Sequence, residues 1–170
     1  MSDYKGPVCG PLQRVLNKNS GLEISRFEYK AVTNADCSLA WRIFSDCEGW
    51  ASFSDLYRNV QWRGFPWAPG SRLEMQVTRP IVTRVDRVIT VCTPPRWAAW
   101  IGHGAGYSWE QWVLFEPHPG AGTRISTWVE VVGAPLSPES GGFRELVKQL
   151  HEEWYESFRA ECDRAAERRT

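Results

Sequence analysis

The residues of this chain best suited to chemistry are polar side chains set among apolar ones. The clearest is Arg87, inside the segment Ile81–Cys92. That segment alternates with the two-residue period of a strand. One parity class reads Thr83, Val85, Arg87, Ile89 and Val91; the other reads Val82, Arg84, Asp86, Val88 and Thr90. The first is the more apolar, so it is expected to face the interior and to carry Arg87 inside. A buried guanidinium demands an anion or several acceptors. Arg87 is therefore a candidate to meet a ligand carboxylate or enolate. The plainer alternatives are local exposure, or pairing with a structural glutamate. His103 ends another strand-like segment and is the histidine to test for catalysis. Its plainer reading is a solvated loop residue.

Other chemistries lack their motifs. His103, His118 and His151 show no ligand spacing among themselves or with the cysteines, so no metal site is expected. Gly102-His-Gly-Ala-Gly106 lies between two strand patterns, with no following helix to receive phosphate, and reads as a hairpin. No Gly-x-Ser-x-Gly nucleophile elbow occurs. No cofactor is implied. Cys37 and Cys47 read as small buried residues at helix ends. The charged residues Glu152, Glu153, Glu156, Arg159 and Asp163 read as a solvated helix face.

Composition narrows the class further. Lys+Arg and Asp+Glu both number 20 in 170 residues, which favours neither nucleic acid nor a polybasic membrane patch. No apolar run is long enough to span a bilayer, and Met1–Pro7 lacks the apolar stretch of a secretory signal. The five cysteines are odd in number and scattered, as expected for reduced thiols in a cytoplasmic protein. Ten tryptophans are unusual for this length. They either fill the core or line a wide cavity for a greasy ligand.

The elements that must position these residues follow a clear order. Residues 1–22 form an arm with a short possible helix at Leu12–Asn17. Glu23–Thr33 reads as a strand, and Asp36 as the N-cap of a helix at Cys37–Ser45. A second, turn-rich helical segment follows at Asp46–Asp55. Strands are then expected at Leu56–Arg63, Arg72–Thr78, Ile81–Cys92, Arg96–His103, Tyr107–Glu116 and Thr123–Val132. Short connections make them antiparallel neighbours. A long helix, from about Pro138 to about Arg168, carries Phe143, Leu146, Val147, Leu150, Trp154, Phe158, Cys162 and Ala165 on one stripe. That stripe needs the sheet as its partner, and a helix over a curved sheet can enclose a pocket.

Several stretches carry a resemblance. Ala35-Asp-Cys-Ser-Leu-Ala-Trp-Arg-Ile-Phe-Ser-Asp46 with Glu48-Gly-Trp50, Pro69-Gly-Ser-Arg72, Thr93-Pro-Pro-Arg-Trp97, Phe115-Glu-Pro117 with Gly122-Thr-Arg124, and Gly133 are the matching residues. With them the chain resembles the SRPBCC, or helix-grip, superfamily. That superfamily includes the polyketide cyclase/dehydrase and lipid-transport group, START-like lipid domains and birch-pollen-allergen-like ligand binders. The resemblance covers roughly residues 24–168. Its motifs are turn and packing residues, informative for fold and poor for function.

The resemblance implies an α+β helix-grip fold. A seven-stranded bent antiparallel sheet would wrap around the long C-terminal helix, with two short helices between strands 1 and 2. Residues 23–168 would form a single ligand-binding domain. It also implies that Trp109, Gln111, Val113 and Phe115 point inward, making Gln111 a neutral donor and acceptor in the pocket. A register slip at Gly102, Gly104 or Gly106 would instead turn Glu110 inward. The expected cavity wall is Phe53, Trp62, Met75, Val85, Arg87, Trp100, Gln111, Val113, Phe115, Phe143, Val147, Leu150 and Trp154. The catalytic candidates are Arg87, Gln111 and His103.

Three functions are then open. The first is a carrier or sensor of a hydrophobic small molecule such as a lipid or polyketide-like compound. The second is a polyketide cyclase, aromatase or dehydratase using the same cavity. The third, a partner-binding module, requires that tryptophans fill the cavity.

Overall fold

The computed structural model describes residues 24–104, 107–120, 122–133 and 141–169. The arm at residues 1–22, with its expected helix at Leu12–Asn17, lies outside them. Seven strands are present: β1 (Ile24–Thr33), β2 (Tyr57–Arg63), β3 (Arg72–Val77), β4 (Thr83–Thr93), β5 (Trp97–Gly104), β6 (Tyr107–Pro117) and β7 (Thr123–Gly133). Helix α1 (Cys37–Ser45) and a 3₁₀ helix (Glu48–Ser52) separate β1 from β2, and α2 (Gly141–Glu167) closes the chain.

The strands form one antiparallel sheet in the order β1-β7-β6-β5-β4-β3-β2. Hairpins build it from β2 to β7, and β1 then pairs with β7. The chain must therefore cross from one sheet edge to the other after β1. Helix α1 and the 3₁₀ helix make that crossing. Asp36 starts α1 as its N-cap, its Oδ1 accepting from the Leu39 N–H at 2.8 Å. Such a cap stabilises a helix by about 1 kcal/mol.

Pairing register fixes what faces the helix. The β5–β6 ladder runs without a break from Gly104↔Tyr107 to Trp97↔Leu114, so no slip occurs at Gly102 or Gly104, and Gly106 lies outside the described residues. Gln111 stays on the inner face, and Glu110 faces the other way. One inner row reads Ile89–Trp100–Gln111–Val129–Phe27 across β4, β5, β6, β7 and β1. The next reads Leu73–Arg87–Gly102–Trp109–Val131 across β3 to β7. The β4–β5 register shifts between Ile89 and Val91. This corrects the sequence parity beyond that point: Cys92, not Val91, packs against the core. Arg87 precedes the shift and keeps its inward place.

Helix α2 lies against this face and is clamped at both sides. Towards β1, Tyr29 Oη donates to Glu156 at 2.7 Å, and Asp163 Oδ1 accepts from Thr33 Oγ1 at 2.7 Å and from the Asn34 N–H at 2.8 Å. Towards the β3–β4 loop, Arg79 bonds both Glu153 on α2 and Asp55. Among the described residues no helix is long and apolar enough to cross a membrane.

Candidate functional site

The tryptophans do both things that their number allowed. Trp50, Trp67, Trp100 and Trp154 are buried with Phe44, Phe115 and Phe158, and Trp41 and Trp62 pack on them. This aromatic cluster fills one end of the space under α2. The other end is open. A cavity of about 340 Å³ lies there, with Leu56, Val77, Val85, Trp109, Val129 and Val131 among its walls and Leu146, Val147 and Leu150 of α2 above. Its mouth is at Pro80 and Ile81, which line it and are exposed to solvent, Ile81 at 76%. Arg79 stands at the same rim, held by Glu153 and Asp55.

Where the cavity meets the aromatic cluster it becomes polar. Tyr57, Arg87, Gln111 and His151 line the cavity and also a small inner void of about 10 Å³. Phe44, Trp50, Trp100, Trp154 and Tyr155 complete the wall of that void. Arg87 is only 7% exposed. Its Nη2 donates to Tyr57 Oη at 2.7 Å, and its guanidinium carbon lies 4.8 Å from the Tyr57 ring centre and 5.3 Å from that of Trp100. Both rings present the negative face of their π-system to the cation. Among the described residues Arg87 forms no ion pair.

Gln111 orders its neighbours. Its Nε2 donates to Tyr155 Oη at 3.1 Å and sits 3.4 Å from His151 Nδ1. With the amide donating, His151 Nδ1 is an acceptor, and the imidazole proton resides on Nε2. Burial pushes His151 down from an ordinary 6.5 to about 3, and the Arg87 cation adds to the effect. His151 is therefore neutral. Burial pushes the Tyr155 hydroxyl up, so it keeps its proton. The Cys47 thiol is likewise raised by burial.

The expected site residues divide into three groups. Val85, Arg87, Gln111, Val147 and Leu150 line the cavity, and Trp100 and Trp154 line the inner void. Phe53, Trp62, Met75, Val113 and Phe115 line neither. Met75, Val113 and Phe115 are core residues, while Phe53 packs on Trp154 and Phe158, and Trp62 on Trp67. Close packing within the core, much of it against rings, keeps them from the cavity surface. The Phe143 side chain lies outside the described residues. His103 is exposed, with Nδ1 2.9 Å from Ser108 Oγ, away from the cavity.

Tyr57, His151 and Tyr155 are the polar members that sequence reasoning passed over; for the two on α2 a signal existed. The signal was their spacing. His151 stands four residues after Val147 and three before Trp154, on the apolar stripe, and Tyr155 follows His151 by four.

The sequence matches no protein-family model and no curated protein. Solved structures match the fold well. The aromatase/cyclase Zhui from Streptomyces sp. R1128 aligns at TM-score 0.68 and 14% identity, over 86% of this chain and 96% of that one. Ara h 8.0201 aligns at 0.66 and 14%, over 82% and 98%. Norcoclaurine synthase from Thalictrum flavum aligns at 0.64 and 9%, over 85% and 97%. At such identities the likeness is one of fold. The chain has the helix-grip fold.

Proposed function

We propose that this protein binds a hydrophobic small molecule, as a carrier or sensor, in the cavity beneath α2. The observation that carries this reading is the cavity itself: about 340 Å³, walled mainly by aliphatic and aromatic side chains, with a solvent mouth at Pro80 and Ile81. Pockets of this size and lining suit small apolar ligands. A protein whose rings filled the whole interior would favour partner binding instead. Trp109 in the wall provides a reporter. Titration with a hydrophobic probe such as decanol is expected to change tryptophan emission saturably and to raise Tm. Val131→Trp, which fills the cavity, is expected to weaken binding at least tenfold. Unchanged emission and Tm across lipid and polyketide mimics would overturn the reading.

A second reading, a polyketide cyclase or dehydratase type of enzyme, has one observation in its favour. Arg87, Gln111, His151 and Tyr155 form a polar cluster at the inner end of an otherwise apolar cavity. Such a group can orient a carbonyl chain and steer enolate chemistry. Turnover of a poly-β-ketone mimic that survives both Arg87→Ala and Gln111→Ala at the wild-type rate would remove it.

A further inference from the structure

Four polar atoms around the inner void have no hydrogen-bond partner among the described residues: Arg87 Nε, Trp100 Nε1, Trp154 Nε1 and His151 Nε2. Each belongs to a residue lining the void, and each residue is more than nine-tenths buried. Buried polar atoms without partners are rare, and each asks for an occupant. The chemistry of the set is one-sided. Arginine Nε and the indole nitrogens only donate. His151 joins them, because Gln111 fixes its proton on Nε2. Four unpartnered N–H groups therefore belong to residues that line the void, and one of them is part of the Arg87 guanidinium cation.

We propose that this void is an oxyanion niche and that the ligand is a hydrophobic monoanion, its carboxylate held by Arg87, Trp100, Trp154 and His151 where the void meets the cavity, while its apolar body fills the outer cavity. The inference deepens the cavity-binding reading and rests on it. A single water fits the space. Water, however, accepts no more than a pair of hydrogen bonds and leaves the guanidinium without a counter-charge. The two rings flanking Arg87 offset part of its burial but provide no anion. A carboxylate, whose two oxygens offer about four acceptor sites, matches the donors in number and the cation in sign. The neighbouring Cys47 thiol and Tyr155 hydroxyl are held protonated by burial, so neither takes the anion's place.

The test compares probes of one chain length that differ only at the head: decanoate, 1-decanol and decylamine, titrated at neutral pH and constant salt. Decanoate is expected to bind at least tenfold tighter than decanol, and decylamine no tighter than decanol. Arg87→Met is expected to erase the preference while leaving decanol affinity in place. Trp100→Phe and Trp154→Phe keep the rings and remove the N–H groups. Each is expected to weaken decanoate several-fold and decanol clearly less, so these variants decide the matter if Arg87→Met does not fold. Equal affinity for decanoate and decanol overturns the niche and leaves the cavity reading intact. Failure of both probes to bind overturns the two together. Retention of the decanoate preference in all three variants also defeats the assignment, since the anion would then sit elsewhere.

Discussion

His151 is buried beside the Arg87 cation, and both facts oppose a second positive charge. The consequence reaches beyond the site, because protonation is coupled to folding. The imidazole titrates at an ordinary 6.5 when exposed and at about 3 in the fold. Between those values the unfolded chain binds a proton that the folded chain refuses. Stability is therefore intact above pH 6.5 and is lost as pH falls towards 3, by at most about 1.4 kcal/mol per pH unit. Urea unfolding at pH 7 and pH 5.5 checks this. Wild type is expected to lose about 1 kcal/mol more than His151→Gln across that interval. Equal losses would mean that His151 is protonated in the folded protein. Arg87 was legible in the sequence because a strand's parity is simple and its neighbours are apolar. His151 was not, because a lone histidine on an apolar helix stripe reads equally well as a core residue. Only the approach of Gln111, forty positions away in the chain, gives it a direction.

Elements matter here through what they leave out. Gly102 sits on β5 between Arg87 and Trp109 in one inner row, and a Cβ at Gly102 would lie 2.1 Å from the Trp109 ring. Missing that carbon, the strand lets the indole lie flat across it and form part of the cavity wall. Gly102→Ala is expected to destabilise the protein by about 2 kcal/mol through overpacking. Shortening the indole in a Gly102→Ala, Trp109→Leu double variant is expected to recover part of the loss, as neighbouring sites couple. Additive losses would show that the two do not touch. In the sequence this glycine lies in the expected strand Arg96–His103 and also opens a Gly-rich run that reads as a hairpin. The run does end in the β5–β6 connection, but Gly102 itself is a strand residue. Turn chemistry and close packing both call for glycine, and sequence alone does not separate them. The strands and helices themselves were legible, with α1 found at its full extent of Cys37–Ser45. Their signals are local: alternation, a capping aspartate, and apolar residues three and four apart.

Across the whole molecule, the interior under α2 is divided into a solid half and a hollow half. That division was not legible. Tryptophan count gives the amount of aromatic volume, but not whether rings crowd one end or spread around a rim. The difference arises from contacts between residues distant in sequence, such as Trp50 and Trp154 at 4.9 Å or Phe44 and Trp67 at 5.2 Å. The Phe53, Trp62, Met75, Val113 and Phe115 assignments failed as cavity wall for this reason. Each faces inward or packs on the core, as its pattern required, without reaching the cavity.

The same division runs along α2. Its later turns place Trp154, Phe158 and Cys162 in the aromatic cluster, while Leu146, Val147 and Leu150 line the cavity. Amide exchange tracks such differences, because segments with fewer buried apolar contacts open more cheaply. In the free protein the amides of Val147–Leu150 are expected to exchange with deuterium well before those of Phe158–Cys162. Decanol or decanoate in the cavity is expected to slow the first group and leave the second unchanged. Uniform exchange along the helix would contradict this. A ligand would then be registered as a local stiffening of one helix half, on a backbone whose shape hardly alters, and the half that yields is the one a visiting molecule must pass.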